Sequence, residues 1–258
     1  MKVRILGCGT SSGVPRIGGD WGACDPSDPR NRRTRVSILV QAGSTRILVD
    51  TSPDLRQQLL DADMGAVDAV IWTHDHADHC HGIDDLRQLF HLTGGPVAGY
   101  ARPETLIQLE TRFGYAFHGR DGYPPTVTAM PLPDRFEIDG VTIRCIDQPH
   151  GSITSAGLRF EAGGAAIGYA TDFHDMTDAM AGFYAGLDLW IVDCLRRRPH
   201  PTHPSLPQVL DWRAMITPAR TVLTHLDQSM DYATLKRELP EAVEPGFDGY
   251  TWQSGPEQ

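Results

Sequence analysis

Thr73-His74-Asp75-His76-Ala77-Asp78-His79 is the stretch on which the reading of this 258-residue chain turns. Ala69–Thr73 is a short apolar run that reads as a buried strand, so the cluster sits in a loop at a strand end. Three imidazoles and two carboxylates within six residues resist dry packing unless something pairs them. Imidazole and carboxylate are the ligand set of divalent zinc, manganese or iron. Alternate residues of an extended loop point the same way, so His74 and His76 can grip one metal. Asp78 and His79 fall after the turn and can face a second.

Three more strand patterns end in residues of the same kind. His150 closes Ile143–His150, Asp172 closes Ile167–Asp172, and His225 closes Thr221–His225. The order Asp50, His74-x-His76-x-Asp78-His79, His150, Asp172, His225 resembles the motifs of the metallo-β-lactamase-fold hydrolases over roughly residues 1 to 250. The resemblance implies an α/β fold, an αββα sandwich of two mixed β-sheets flanked by helices, with two divalent ions (Zn2+ or Mn2+) at one edge. It implies that His74, His76 and His150 bind the first ion, that Asp78, His79 and His225 bind the second, and that Asp172 bridges them. Asp50 matches a residue that orients the histidine loop.

Leu6-Gly7-Cys8-Gly9-Thr10-Ser11-Ser12-Gly13-Val14-Pro15 resembles the opening loop of the phosphodiesterase branch, which includes transfer-RNA 3′ processing nucleases. Asp193-Cys194, His203-Pro204-Ser205-Leu206 and Pro245-Gly246-Phe247-Asp248-Gly249 are similar to the phosphoribosyl cyclic phosphate phosphodiesterases. There a histidine matching His203 assists catalysis beside the metals. Those enzymes also hold a structural zinc on a cysteine cluster and a later histidine. Here Gly18–Asp25 keeps only Cys24, and Gln228 stands in the later place. Two metals, not three, are expected. The processing nucleases insert an RNA-binding arm between the third and fourth motifs, and His150 and Asp172 lie only 22 positions apart.

These features predict a phosphodiesterase for small, cyclic phosphodiesters. A hydroxide bridging two ions ~3.5–4 Å apart would attack phosphorus. Asp78 would share the nucleophile's proton, and His203 would protonate the leaving oxygen or stabilise charge. A lactone or thioester hydrolase on the same ions is the rival chemistry, and a non-catalytic metal-binding protein is the rival outside enzymology. A closed structural site takes four ligands, whereas seven convergent ones leave open positions.

Lys and Arg total 23 against 33 Asp and Glu, a net charge of −10. That balance argues against a polynucleotide partner and an anionic membrane surface, and for a small anionic phosphodiester substrate. Arg196-Arg197-Arg198 can serve such a substrate or form a solvated loop. Arg32, Arg33 and Arg35 are weaker candidates of the same kind. His81, His91, His118 and His174 read as surface or cap residues, His200 as ambiguous, and Cys80 as packing. Five scattered cysteines suggest a reducing compartment. No apolar run approaches the ~20 residues of a membrane helix. The opening Met1–Gly7 reads as a strand rather than a signal peptide, so the expected location is cytoplasmic. One domain over 1–258 is expected, and homodimerisation is left open.

Element patterns place a hairpin at Val36–Gln41 and Arg46–Asp50. Ser52 as N-cap and Pro53 predict a helix to about Ala62. A helix carries Ile83, Leu86, Leu89 and Phe90 on one face, and another after Pro103 carries Leu106, Ile107 and Leu109. Gly114–Pro133, rich in Gly and Pro, reads as a long loop. Later strands alternate with helices near Met176–Tyr184, Leu206–Ile216 and Tyr232–Leu239.

Overall fold

The alternation of apolar side chains along the strands decides how two sheets stack. In the computed structural model, which describes residues 1–255, the first sheet contains β1 (Lys2–Gly7), β2 (Ser37–Ala42), β3 (Thr45–Val49), β4 (Ala69–Ile71), β5 (Val97–Ala101) and β6 (Val127–Pro131). The second contains β7 (Arg135–Ile138), β8 (Val141–His150), β9 (Ile153–Ala162), β10 (Ala165–Ala170), β11 (Leu189–Asp193), β12 (Arg220–Thr224) and β13 (Val243–Pro245). A last strand, β14 (Thr251–Gln253), returns to pair with β1, giving the orders β14-β1-β2-β3-β4-β5-β6 and β13-β12-β11-β10-β9-β8-β7.

Each sheet is antiparallel on one side and parallel on the other. β1, β2 and β3 run antiparallel, then β3 to β6 parallel. In the second sheet β7 to β10 run antiparallel, then β10 to β13 parallel. Ile38 and Val40 of β2 face the core between the sheets, where they join Ile5, Ile47, Leu158, Phe160 and Ile191. Leu39, between them, faces outward to the helices, as the two-residue period of a strand requires. Both faces are covered, so these strands read as near-continuous apolar runs.

Helices α1 (Leu55–Asp61), α2 (Ala77–Cys80), α3 (Leu86–Thr93) and α4 (Pro103–His118) belong to the first half, and α5 (Asp178–Tyr184), α6 (Leu206–Ile216) and α7 (Tyr232–Glu238) to the second. Leu55, Leu59, Leu86, Leu89 and Leu109 pack on Leu48 and Val70. On the other side Met180, Tyr184, Val209 and Leu235 pack on Trp190 and Val192. The αββα sandwich expected from the sequence is what forms. Among the described residues no helix is long and apolar enough to cross a membrane.

Three local expectations are corrected. The loop expected over Gly114–Pro133 holds the last turn of α4 and strand β6. Gly114 costs a helix only ~1 kcal/mol, and the turn beyond it buries Ala116 and Phe117. Pro131 is tolerated because β6 is an edge strand, where no further neighbour needs its missing N–H. The helix expected at Pro53 begins at Leu55, because the Ser52 hydroxyl accepts the Asp54 N–H and forms a turn first. Ile83 lies in a separate 3-10 turn, Ile83–Asp85, ahead of α3.

Arg33 is a fourth correction, since it is buried rather than free for a substrate. Its guanidinium joins the long loop after β1 to the loop after β12. Nη2 donates to the Met230 carbonyl at 2.6 Å and to Asn31 Oδ1 at 3.3 Å. Nη1 donates to the Asp227 carbonyl at 3.3 Å and to Cys24 Sγ at 3.8 Å. Ala23 N–H donates to the Gln228 carbonyl at 2.8 Å. Of the two positions singled out from the sequence, Cys24 touches this cation and Gln228 pairs with the neighbouring Ala23.

Candidate metal centre

Strand ends build the site. Asp50, Asp172 and His225 immediately follow or nearly follow β3, β10 and β12, and all three hold left-handed backbone, at φ 62°, 53° and 56°. Such angles are costly for residues with a Cβ and persist where surrounding structure over-determines them. Each turns its chain out of a sheet and presents a ligand-type side chain at the same edge.

Asp50 organises the histidine loop. Its Oδ1 accepts the Thr73 N–H at 2.8 Å and its Oδ2 accepts the Thr73 hydroxyl at 2.9 Å. Oδ2 also accepts His79 Nδ1–H at 2.7 Å. The Thr73 hydroxyl, committed as donor to Asp50, accepts from His74 Nδ1 at 3.1 Å. Both rings are thereby fixed with Nε2 as the nitrogen holding a lone pair. His74 Nε2 and His79 Nε2 are buried and have no hydrogen-bond partner.

Two groups converge on Asp172. His74, His76, His150 and Asp172 bring ligand atoms within 4.8 Å of one another, and so do Asp78, His79 and His225. Asp172 Oδ2 lies 3.7 Å from His74 Nε2 and 3.6 Å from His150 Nε2. Its Oδ1 lies 3.2 Å from His79 Nε2 and 3.6 Å from His225 Nε2. Asp78 Oδ2 is 3.5 Å from both His79 and His225 Nε2. Thus all seven predicted ligands meet, with one oxygen of Asp172 toward each group.

Electrostatics favour added positive charge here. Burial alone would lower His79, but Asp172, Asp78 and Asp50 hold its imidazole well above the ordinary range. Burial likewise works against His225, yet Asp172, Asp193 and Asp78 push it up to about 9. Burial would raise Asp172, but His225, His79 and His74 hold its carboxyl well below the ordinary range. His74, by contrast, is held well below its usual value, first by burial and then by His79. Unsatisfied Nε2 atoms among buried carboxylates fit divalent cations, which supply charge and accept lone pairs together.

His203 stacks on His225, with ring centroids 4.7 Å apart and planes 13° apart. Its Nδ1 donates to Asp193 Oδ2 at 2.7 Å. Asp193 also accepts the Asp172 N–H at 3.1 Å. Sequence reasoning gave Asp193 no role, although it ends an apolar strand as His150, Asp172 and His225 do. Thr73 and Thr202 were missed too; the Thr202 carbonyl accepts from His150 Nδ1 at 3.0 Å. Nothing local in sequence marks those two.

The remaining candidates lie apart from the cluster. His118 pairs with Glu110 at 3.1 Å, and His81 meets the Phe113 ring edge-on. His91 does the same with Phe90, and His174 Nδ1 accepts the Gly151 N–H at 3.3 Å. The Cys80 thiol is buried and donates to the Asp75 carbonyl. Arg197 pairs with Glu238 at 2.6 Å, and Arg196 donates to the carbonyls of Arg198 and Pro199.

Comparison with known proteins gives matches along the chain. The sequence model of a beta-lactamase superfamily domain matches residues 45–226. Octanoyltransferase of Porphyromonas gingivalis (strain ATCC BAA-308 / W83) is 34% identical over 96% of this chain. The match covers 51% of that protein, so the chain spans about half its length. Ribonuclease Z of Bradyrhizobium sp. (strain ORS 278) is 29% identical over 52% of this chain and 46% of its own. A crystal structure described as a new diphosphatase from the PhnP family superposes with TM-score 0.89 at 33% identity, covering 97% of this chain and 96% of that one.

Proposed function

The chain belongs to the beta-lactamase superfamily, and we propose that it is a metal-dependent hydrolase that cleaves small phosphodiesters at the site just described. The observation that carries this reading is the placing of Asp172, with Oδ2 toward His74 and His150 and Oδ1 toward His79 and His225. In this reading His74, His76 and His150 hold one divalent ion, Asp78, His79 and His225 hold another, and Asp172 is shared. Zinc and manganese both suit the imidazole and carboxylate set. Such a pair supplies, when bound, an acidified water with pKa near ~7 and charge to polarise phosphoryl oxygens.

The chain's own residues orient and protonate. Asp50 accepts the His79 Nδ1 proton and the Thr202 carbonyl accepts that of His150, so each ring presents Nε2. Asp193 does the same for His203, which leaves Nε2 of His203 to donate a proton to the departing oxygen. Asp78 is ionised: burial opposes this, but His79 and His225 hold its carboxyl below the ordinary range. Two similar proteins support phosphorus over an acyl carbon, since one is named a diphosphatase and the other a ribonuclease. The first of these, matched over 97% of this chain, also favours a phosphoanhydride as a second type of bond cleaved.

The test is turnover by protein reconstituted with zinc or manganese on a panel of phosphodiesters, lactones and thioesters. Hydrolysis of phosphodiesters is expected. Turnover confined to lactones or thioesters overturns the reading, and one tightly held ion with no turnover on any class favours the non-catalytic metal-binding protein.

A further inference from the structure

A row of imidazoles leads outward from the metal centre. His203 stacks on His225, and His200 follows with its ring centroid 5.1 Å from that of His203. His200 Nδ1 accepts the Thr202 N–H at 3.3 Å and lies 3.3 Å from Thr202 Oγ1. A backbone N–H can only donate, so this nitrogen keeps its lone pair and the proton of the neutral ring sits on Nε2. Nε2 has no protein partner among the described residues, and the ring is half-buried. The same residue fixes both neighbours: Thr202 N–H sets His200, and the Thr202 carbonyl sets the ligand His150.

Burial, then the nearby His203 and Arg196, hold the His200 imidazole below its ordinary value, so near pH 7 it is a neutral N–H donor. Arg196, folded onto the carbonyls of Arg198 and Pro199, keeps its positive charge close by. A donor fixed in orientation, next to a cation and one ring beyond the proposed acid, suits an anionic oxygen on the leaving-group side.

We propose that His200 is a specificity-determining residue, donating from Nε2 to a phosphoryl group that adjoins the scissile one, so that the site favours diphosphate-bearing substrates over single phosphodiesters. The proposal rests on the reading that this site cleaves bonds to phosphorus. In the step implied, a water oxygen bonds to the scissile phosphorus, gives up one proton to the Asp78 carboxylate, and the bond to the bridging oxygen breaks. The bridging oxygen leaves with the electron pair and takes the proton from His203. The second phosphoryl group, carried on that oxygen, is the part that meets His200.

The test compares calorimetric binding of inorganic pyrophosphate and inorganic phosphate to metal-loaded protein. Wild type is expected to prefer pyrophosphate, and His200→Ala to lose ~10-fold of that preference, the scale of one charge-assisted hydrogen bond. Phosphate affinity should change little, which also shows that the variant is folded. His200→Gln, which keeps an N–H donor, should restore most of the loss. An unchanged pyrophosphate-to-phosphate ratio in His200→Ala, or equal weakening of both anions, overturns the proposal. Wild-type turnover of bis-nitrophenyl phosphate is measured beside it. If that turnover is absent while the binding ratio still depends on His200, the phosphodiester reading falls and the binding role of His200 stands.

Discussion

Arg33 and His79 are both buried ionisable residues, and the chain treats them in opposite ways. Around Arg33 the protein supplies its own partners: two carbonyls, an asparagine oxygen and a thiol receive four of its N–H bonds, and only Nε lacks one. Nearby Asp248 is as well supplied, accepting from the Cys8 N–H, the Thr34 N–H and the Thr34 hydroxyl. At the metal centre the supply stops one atom short. Asp50 and Thr73 satisfy the Nδ1 atoms of His79 and His74, while the Nε2 atoms face Asp172 with no hydrogen-bond partner. A buried polar network closed by the chain's own atoms stabilises the fold, while one left open at converging atoms is shaped for something the chain does not contain. Both networks touch the loop after His225, so variants can separate them.

The largest effect should come from opening the metal centre at its shared point. Asp172→Ala removes the carboxylate facing both groups, and a loss on the order of 10⁴-fold or more in kcat is expected. Metal content should fall with it. The fold should survive, because the inter-sheet core is formed from aliphatic and aromatic side chains and does not include this residue. Near wild-type turnover with two ions bound would show that Asp172 bridges nothing.

His203 comes next. As a positioned proton donor it should be worth ~10²–10⁴-fold in rate, with metal content unchanged in His203→Ala. The loss should shrink on bis-nitrophenyl phosphate, whose leaving group needs no proton, and stay large on an alkyl or ribosyl cyclic phosphodiester. Equal losses on both substrates would remove the acid role and leave charge stabilisation.

What was legible in the sequence follows the same division. The residues that converge were readable because His74–His79 crowds four of them into one loop and His150, Asp172 and His225 each close a strand pattern. The sandwich was readable because strands covered on both faces are continuously apolar. Asp193, Thr73 and Thr202 were not assigned, since their roles arise from contacts across the fold; Thr202 and His150 are 52 positions apart. Arg33 looked like any surface cation because none of its partners is a carboxylate and two of the four are backbone carbonyls, which no side-chain pattern announces. Strand β6 hid because only Val127 of its five residues is buried.

Arg33 should matter for stability rather than for ligand binding. Arg33→Met leaves the buried Met230 carbonyl without a donor and takes one donor from the Asp227 carbonyl and one from Asn31 Oδ1, which keep the Met230 and Tyr232 N–H groups, and a loss of ~3 kcal/mol in denaturant unfolding is expected. Metal stoichiometry should hold, since none of the seven ligands touches the guanidinium among the contacts that fix it. If the variant keeps wild-type stability but sheds an ion, the closed network belongs to the metal centre after all.

The smallest effect is a pH dependence at Asp248. Burial pushes its carboxyl up to about 6, against the pull of three donors. A carboxyl whose folded value lies above its ordinary one binds its proton more tightly in the folded state. Its contribution is therefore fully present below the ordinary value of ~4 and is lost as pH rises through about 6. At ~1.4 kcal/mol per unit, the loss is on the order of 2 kcal/mol between pH 4 and pH 7. Asp248→Asn isolates this group, because other titrations cancel in the difference between variant and wild type. Asn cannot accept all three donors, so the variant should be less stable at pH 4. That deficit should narrow by the same order at pH 7, where wild type bears the cost of a buried charge. A deficit that stays constant removes the pH effect. One that widens with pH would mean that the three donors outweigh burial and that the ionised carboxylate is the form this closed network was built to hold.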